Sequence, residues 1–147
     1  VNLPAGAGDT LEELSEVLIG VAESTGFSVH VFYSLGHQAM ATTNAKRSLN
    51  GGLMGAVDDA RRCIVFPAFL GNPESFDWVR SGARAQFSVR EIVMPAIRPE
   101  ALAMKVLSIP GSFTEMVGKD SPLTTGERFL LQAKWLKPAL SAVSVFD

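Results

Sequence analysis

The chain has 147 residues, 47% of them hydrophobic and 19% charged, with a formal net charge of −2. This composition is typical of one soluble globular domain with a real core, and it excludes a disordered chain. The near-neutral charge gives no indication of nucleic acid as a partner, the single cysteine excludes a disulfide within the chain, and no apolar run is long enough for a membrane-spanning helix.

The start of the chain predicts a flexible leader followed by one helix. Residues 1–8 are rich in Gly and Ala and indicate the leader. Thr10 and Glu13 have the spacing of a capping box, so we expect the helix to begin beside them and Gly26 to end it. One apolar stripe has the helical repeat and predicts a buried face: Leu11, Leu14, Leu18 and Val21.

The next segments predict a β-hairpin, a short helix and a short strand. Apolar and polar residues alternate over 27–34, and after Gly36 the chain can return as a second strand over 37–43. The pattern then predicts a helix over 53–62 and a strand over 64–66.

The remaining segments predict a helix over 74–83, two strands over 87–97 and 102–109 joined by a turn, and a closing helix. Thr124 and Glu127 form a second capping-box pattern at the start of the closing helix. We expect this helix to bury one apolar stripe, Phe129, Ala133, Leu136 and Leu140. We also expect Pro138 to kink or weaken its final turn. Across the domain we predict five buried positions: Leu18, Val31, Met94, Val106 and Leu136.

Three segments, in this order, carry a resemblance to a known family. Residues 52–57 read Gly-Leu-Met-Gly-Ala-Val, residues 90–97 form a strand pattern with a proline near its end, and residues 123–140 form the closing helix. Together they resemble a GAF domain, the small-molecule sensor fold of many signalling proteins. The resemblance implies an α+β fold over residues 9–147, with a central antiparallel sheet, the terminal helices on one face and short helices over the other.

The same resemblance implies a function. We expect a regulatory sensor module that binds a small ligand and controls an attached output domain, within a cytoplasmic bacterial signal-transduction protein such as a sensor histidine kinase. The alternative is a ligand-free dimerisation module, and in either case we expect a homodimer through the terminal helices.

Candidate catalytic and metal-binding groups are few. No nucleophile–base pair or phosphate-binding loop is evident, so we expect neither an enzyme nor a resident cofactor. His30 and His37 lack the further ligands of a metal site, and we expect no metal. Cys63 enters an apolar strand and is predicted to be buried. The bilin-binding members of the family place a histidine after the cysteine; Ile64 stands there, which argues against a bilin.

The best candidate for a ligand pocket is the segment between the short strand and residue 87, where aromatic residues concentrate and arginines lie nearby. An apolar cavity with one or two polar anchors is the usual form of such a site, and an arginine suits a carboxylate or phosphate. The alternative is that the aromatics close an ordinary core and the arginines face solvent. The candidate ligand-binding residues are Phe66, Phe76, Trp78, Arg80, Arg84 and Phe87.

Overall fold

A three-stranded parallel sheet organises the chain, in a computed structural model that describes residues 14–146. The strand order is β1-β2-β3, and both neighbouring pairs are parallel. The elements are α1 Ser15–Ser24, β1 Val31–Ser34, α2 Ala39–Gly51, β2 Arg62–Pro67, α3 Asp77–Arg80, β3 Arg90–Met94, α4 Glu100–Ser108, α5 Phe113–Met116, α6 Thr125–Leu130, a π-helical segment Leu131–Leu136 and α7 Lys137–Val143. Single 3₁₀ turns lie at Asp59–Arg61, Ala68–Leu70, Pro73–Ser75, Ala83–Gln86 and Ser144–Phe146.

The predicted antiparallel, GAF-like sheet is wrong. Residues 37–43 fall largely in α2 and residues 102–109 largely in α4, so two of the predicted strands are mostly helix. Their buried positions have helical spacing: Leu102 and Val106 are four residues apart and both are buried. With α2 in place of the first return strand, the chain crosses back between β1 and β2, and the short helical pieces of residues 68–86 cross back between β2 and β3, so both pairs are parallel.

Several predicted elements are shorter or differently built. Residues 53–62 form turns and one 3₁₀ turn instead of a helix, and residues 74–83 form short helical pieces. Gly82 stops the longest of these pieces with φ near +75°, a conformation that other residues rarely adopt. Of the strand predicted over 27–34, only Val31–Ser34 forms a strand, β1. Of the strand predicted over 87–97, only Arg90–Met94 forms a strand, β3.

Both faces of the sheet are covered, and the central strand β2 contributes side chains to a core on each face. Residues 63–67 of β2 are all buried, as expected for a parallel strand covered on two sides. Its side chains alternate, so that Ile64 and Phe66 join a first-face core and Cys63 and Val65 join a second-face core. The first-face core comprises Ile19, Val31, Leu35, Ala45, Leu49, Met54, Val57, Ile64, Phe66, Phe76, Trp78 and Ala83, and the second-face core comprises Cys63, Val65 and Ile92.

The terminal helices do not share one face, contrary to the prediction. Ile19 of α1 packs in the first-face core together with residues of α2 and α3. Val143 of α7 packs against the second-face core. Leu102, Val106, Met116, Leu123 and Leu131 form a separate helical core between α4 and the closing helices.

The apolar stripe predicted to be buried on the first helix faces solvent instead. Leu14, Leu18 and Val21 are exposed, and the inward positions of α1 are Ser15 and Ile19. The leader, Leu11 and the capping box of Thr10 and Glu13 lie outside the described residues.

The capping box at the closing helix is confirmed. The Thr124 hydroxyl accepts from the Glu127 N–H at 3.3 Å, and the Glu127 carboxylate accepts from the Thr124 N–H at 2.7 Å. Lys105 of α4 also donates to Glu127 at 2.8 Å, and this bond, with the cap, lowers the pKa of Glu127 to about 2. The box thus ties α4 to the start of α6.

The predicted inner stripe of the closing helix is wrong in two of its four positions. Phe129 and Leu140 are exposed, and Leu131 and Ala139 are buried. The π-helical segment lies just before Pro138, which lacks an N–H and crowds the preceding turn of an α-helix. The wider turn changes which side chains face inward, an effect that a strict helical period does not predict.

The five predicted core positions have mixed outcomes. Val31 and Val106 are buried, as predicted, whereas Leu18 is exposed and Met94 and Leu136 are half-buried. None of the helices within residues 14–146 has the length and apolar character that crossing a membrane requires.

Candidate functional site

A groove lies at the amino end of the sheet, between the starts of β2 and β3. The two strands are parallel and pair Cys63 with Arg90, so the residues that precede each strand are brought side by side. The groove has a volume of about 640 Å³ and is lined by Asp59, Ala60, Arg84 and residues 87–91. We call it the amino-edge groove.

The two carboxylates that line the amino-edge groove, Asp59 and Glu91, both have cationic partners. Asp59 forms an ion pair with Arg62. Glu91 accepts from Arg84 at 2.7 Å and from the Trp78 indole N–H at 2.8 Å. The hydrogen bond to Glu91 also raises the pKa of Arg84. These contacts leave neither carboxylate as an unpaired negative charge.

Arg90 is different, since it has no carboxylate within ion-pair distance in the described part of the chain. One guanidinium N–H donates to the carbonyl of Val145, and the guanidinium carbon lies 5.4 Å from the centroid of the Phe146 ring. Both partners are uncharged, and the Arg90 side chain is exposed. Among the lining residues, Arg90 therefore bears a positive charge that no carboxylate in residues 14–146 neutralises.

The structure divides the predicted ligand-binding residues. Phe66, Phe76 and Trp78 are buried in the first-face core, where the Phe66 and Phe76 rings meet edge to face at 5.1 Å. Arg84 and Phe87 line the amino-edge groove. Arg80 is exposed and is not among the residues that line it.

Six lining residues were missed by the sequence-based prediction: Asp59, Ala60, Ser88, Val89, Arg90 and Glu91. Asp59 is separated from residues 88–91 by about thirty positions, and only the parallel pairing of β2 with β3 makes them neighbours. The antiparallel arrangement that we predicted gives no reason to combine them. A correct strand direction is the signal that would have found this site.

The carboxyl edge of the sheet lacks the feature that usually makes a binding crevice in such folds. In open parallel sheets, ligands bind where the strand order reverses. The order β1-β2-β3 runs in one direction throughout the described strands.

The histidines and the cysteine have structural surroundings. The Cys63 thiol is buried, as predicted, and burial raises its pKa to about 11. The His30 ring lies 4.7 Å from the Phe146 ring, and the His37 ring lies 6.4 Å from that of Phe76. No group of three or more His, Cys, Asp or Glu residues within positions 14–146 has the arrangement of a metal site.

Comparison of the chain with protein-family models, with curated proteins and with solved structures finds no match. The parallel sheet also differs from the antiparallel sheet that the GAF resemblance implies. The positions of a GAF pocket therefore supply no site residues here, and the amino-edge groove has to be interpreted from its own chemistry.

Proposed function

We propose that this domain is a regulatory module that binds a small anionic molecule in the amino-edge groove. The observation that carries the proposal is Arg90, one of the residues that line the groove, whose guanidinium has no carboxylate within ion-pair distance in residues 14–146. A guanidinium recognises a carboxylate or phosphate through two parallel N–H···O bonds. The volume of about 640 Å³ falls within the range of small-molecule sites.

The walls of the groove suit a ligand that combines an anionic group with an apolar part. Phe87, Val89 and Ala60 provide apolar surface, and Ser88 adds a hydroxyl. Arg84 forms an ion pair with Glu91 and a longer contact of 3.5 Å with Glu74. A second anionic group of the ligand could replace Glu74 in this longer contact. Phosphorylated or carboxylated metabolites have this chemistry.

The wider role rests on the resemblance stated above and stays a prediction. We expect the module to act in a cytoplasmic signalling protein, attached to an output domain such as a histidine kinase, without catalytic activity, resident cofactor or nucleic-acid contact of its own. An anion that binds the folded domain and not the unfolded chain stabilises the folded form by mass action, which makes binding measurable.

The test compares Arg90→Gln with Arg80→Gln in a thermal-shift screen of small carboxylates and phosphates. We expect at least one compound to raise the melting temperature of the unaltered chain and of Arg80→Gln. Arg90→Gln should lose about tenfold or more in affinity, because a charged hydrogen bond contributes about 1.5–3 kcal/mol. Isothermal titration of the best compound gives the affinities.

Arg80 is a matched control, since it is an exposed arginine of the same region that does not line the groove. Equal loss of affinity in the two variants would show that binding depends on overall charge rather than on the groove. A screen in which no anion stabilises the chain would contradict the proposal.

A second candidate function is dimerisation, and the surface of α1 favours it. Leu14, Val17, Leu18 and Val21 are exposed at i, i+3, i+4 and i+7, which is the spacing of one helix face. Contiguous exposed apolar surface often marks a protein interface.

Leu18→Glu is expected to convert a dimer to a monomer, since it places a charge in the middle of this face. Leu107→Glu is the control, because Leu107 is 80% exposed on α4, outside the α1 face. Light scattering coupled to size exclusion gives the mass of each variant. A monomeric unaltered chain at every concentration measured would contradict the dimer.

A further inference from the structure

The end of the described chain forms a cover over the second face of the sheet. Ala142, Val143, Val145 and Phe146 pack against the second-face core of Cys63, Val65 and Ile92. We call residues 142–146 the carboxyl-terminal cover. Beneath it Cys63 has no exposed surface.

Phe146 is held at the tip of this cover by three side chains from two strands and the segment before β1. The His30 ring lies 4.7 Å away, the Phe32 ring 4.8 Å away in an edge-on arrangement, and the Arg90 guanidinium 5.4 Å away. Arg90 also donates to the carbonyl of Val145. One side chain therefore holds both terminal residues of the cover.

Arg90 is also one of the residues that line the amino-edge groove, so this one residue belongs to both the groove and the contacts of the cover. Within residues 14–146 its partners are a neutral carbonyl and an aromatic ring. An arginine often binds a carboxylate or phosphate through two parallel N–H···O bonds between opposite charges, whereas the Val145 carbonyl is neutral and accepts one bond. An anion in the groove therefore competes for Arg90 on favourable terms.

We propose that Arg90 couples the two sites: an anion bound in the amino-edge groove draws the guanidinium from Val145 and Phe146 and loosens the carboxyl-terminal cover. This inference rests on the proposed function and adds the means by which binding would be transmitted. Coupling of this kind is reciprocal, so loosening the cover must also strengthen anion binding by the same factor.

Cys63 reports the position of the cover directly. It is the chain's one cysteine, so a thiol reagent labels a single site. The thiol lies under the cover, and burial raises its pKa to about 11, so labelling is slow while the cover is seated. Opening the cover exposes the thiol and speeds the reaction.

The experiment measures the rate of Cys63 labelling by a maleimide at one fixed pH, with sodium pyrophosphate or with sodium chloride of equal ionic strength. In the unaltered chain we expect pyrophosphate to raise the rate about fivefold or more, the lower end of typical couplings. Arg90→Gln should label faster than the unaltered chain without any anion and should not respond to pyrophosphate. Phe146→Ala should also label faster, and it should bind pyrophosphate more tightly.

Phe69→Ala is the control, because Phe69 is an exposed aromatic outside both the groove and the cover. It should label like the unaltered chain. Low concentrations of urea separate local opening from global unfolding, since a local opening exposes little surface and its rate barely changes with urea. A labelling rate that rises steeply with low urea would show that the variants expose Cys63 by unfolding, which would overturn the coupling.

The remaining outcomes distinguish the coupling from the proposed function. If pyrophosphate binds by titration and the labelling rate does not change, the coupling is wrong and the binding function stands. If pyrophosphate does not bind, the phosphate form of the proposed function is wrong. In that case the coupling to pyrophosphate is overturned as well, and the labelling rate of Arg90→Gln shows only whether Arg90 holds the cover.

Discussion

Phe66→Ala is expected to lower the free energy of unfolding by about 3–5 kcal/mol, the usual cost of removing a buried phenyl ring. Phe66 lies on the central strand β2 with 1% of its surface exposed, and its ring meets that of Phe76 edge to face at 5.1 Å. The substitution leaves a cavity between the sheet and the helices of the first face. Denaturation by guanidinium chloride, followed by circular dichroism, gives the difference.

Phe69→Ala is the matched control, three residues further along the chain. Its side chain is 69% exposed, so the same change there should alter stability by no more than about 0.5 kcal/mol. Similar small losses in both variants would mean that Phe66 is not in the core. That result would favour the sequence-based prediction, in which Phe66 is one of the ligand-binding residues.

The parts of the fold that could be predicted are those that depend on local chemistry. The apolar run of residues 64–66 predicted the core of β2, because a strand covered on both faces must be apolar throughout. The capping box of Thr124 and Glu127 depends on two side chains and their own backbone, so its spacing was enough. Burial of Cys63 followed from its place at the head of that strand.

The antiparallel sheet was predicted because two segments were read as return strands: residues 37–43, which lie largely in α2, and residues 102–109, which lie largely in α4. Residues 102–109 are apolar enough for a buried strand, and a short apolar run does not distinguish a strand from a buried helix. The contact between Lys105 and Glu127, which fixes α4 beside α6, joins residues distant in sequence. Reading this segment as a strand implied a return strand, and hence the antiparallel sheet.

The candidate site was partly predictable for a related reason. Aromatic residues cluster both in cores and in pockets, so composition alone did not separate Phe76, which is buried, from Phe87, which lines the groove. The separation comes from strand register: Phe87, just before β3, lies at the sheet edge, whereas Phe76, just before α3, packs in the first-face core. Register depends on the pairing partner, which a local pattern does not specify.

Leu131→Ala is expected to lower the free energy of unfolding by about 2–5 kcal/mol. Leu131 begins the π-helical segment with no exposed surface, and it packs with Leu102, Val106 and Leu123 in the helical core. Removing its branched end leaves a cavity between α4 and the closing helix. Leu140→Ala is the control, since Leu140 lies on α7 and is 58% exposed, so its loss should be within about 0.5 kcal/mol.

The same measurement tests whether the helical core and the first-face core unfold together. Phe66 belongs to the first-face core and Leu131 to the helical core. If the chain is one cooperative unit, as we predict, each substitution shifts a single transition, and circular dichroism and tryptophan fluorescence report the same midpoint. Trp78 lies in the first-face core and Trp135 packs against the helical core, so fluorescence samples both. Two separate transitions, with Leu131→Ala moving only one of them, would show that the helical core folds as an independent unit.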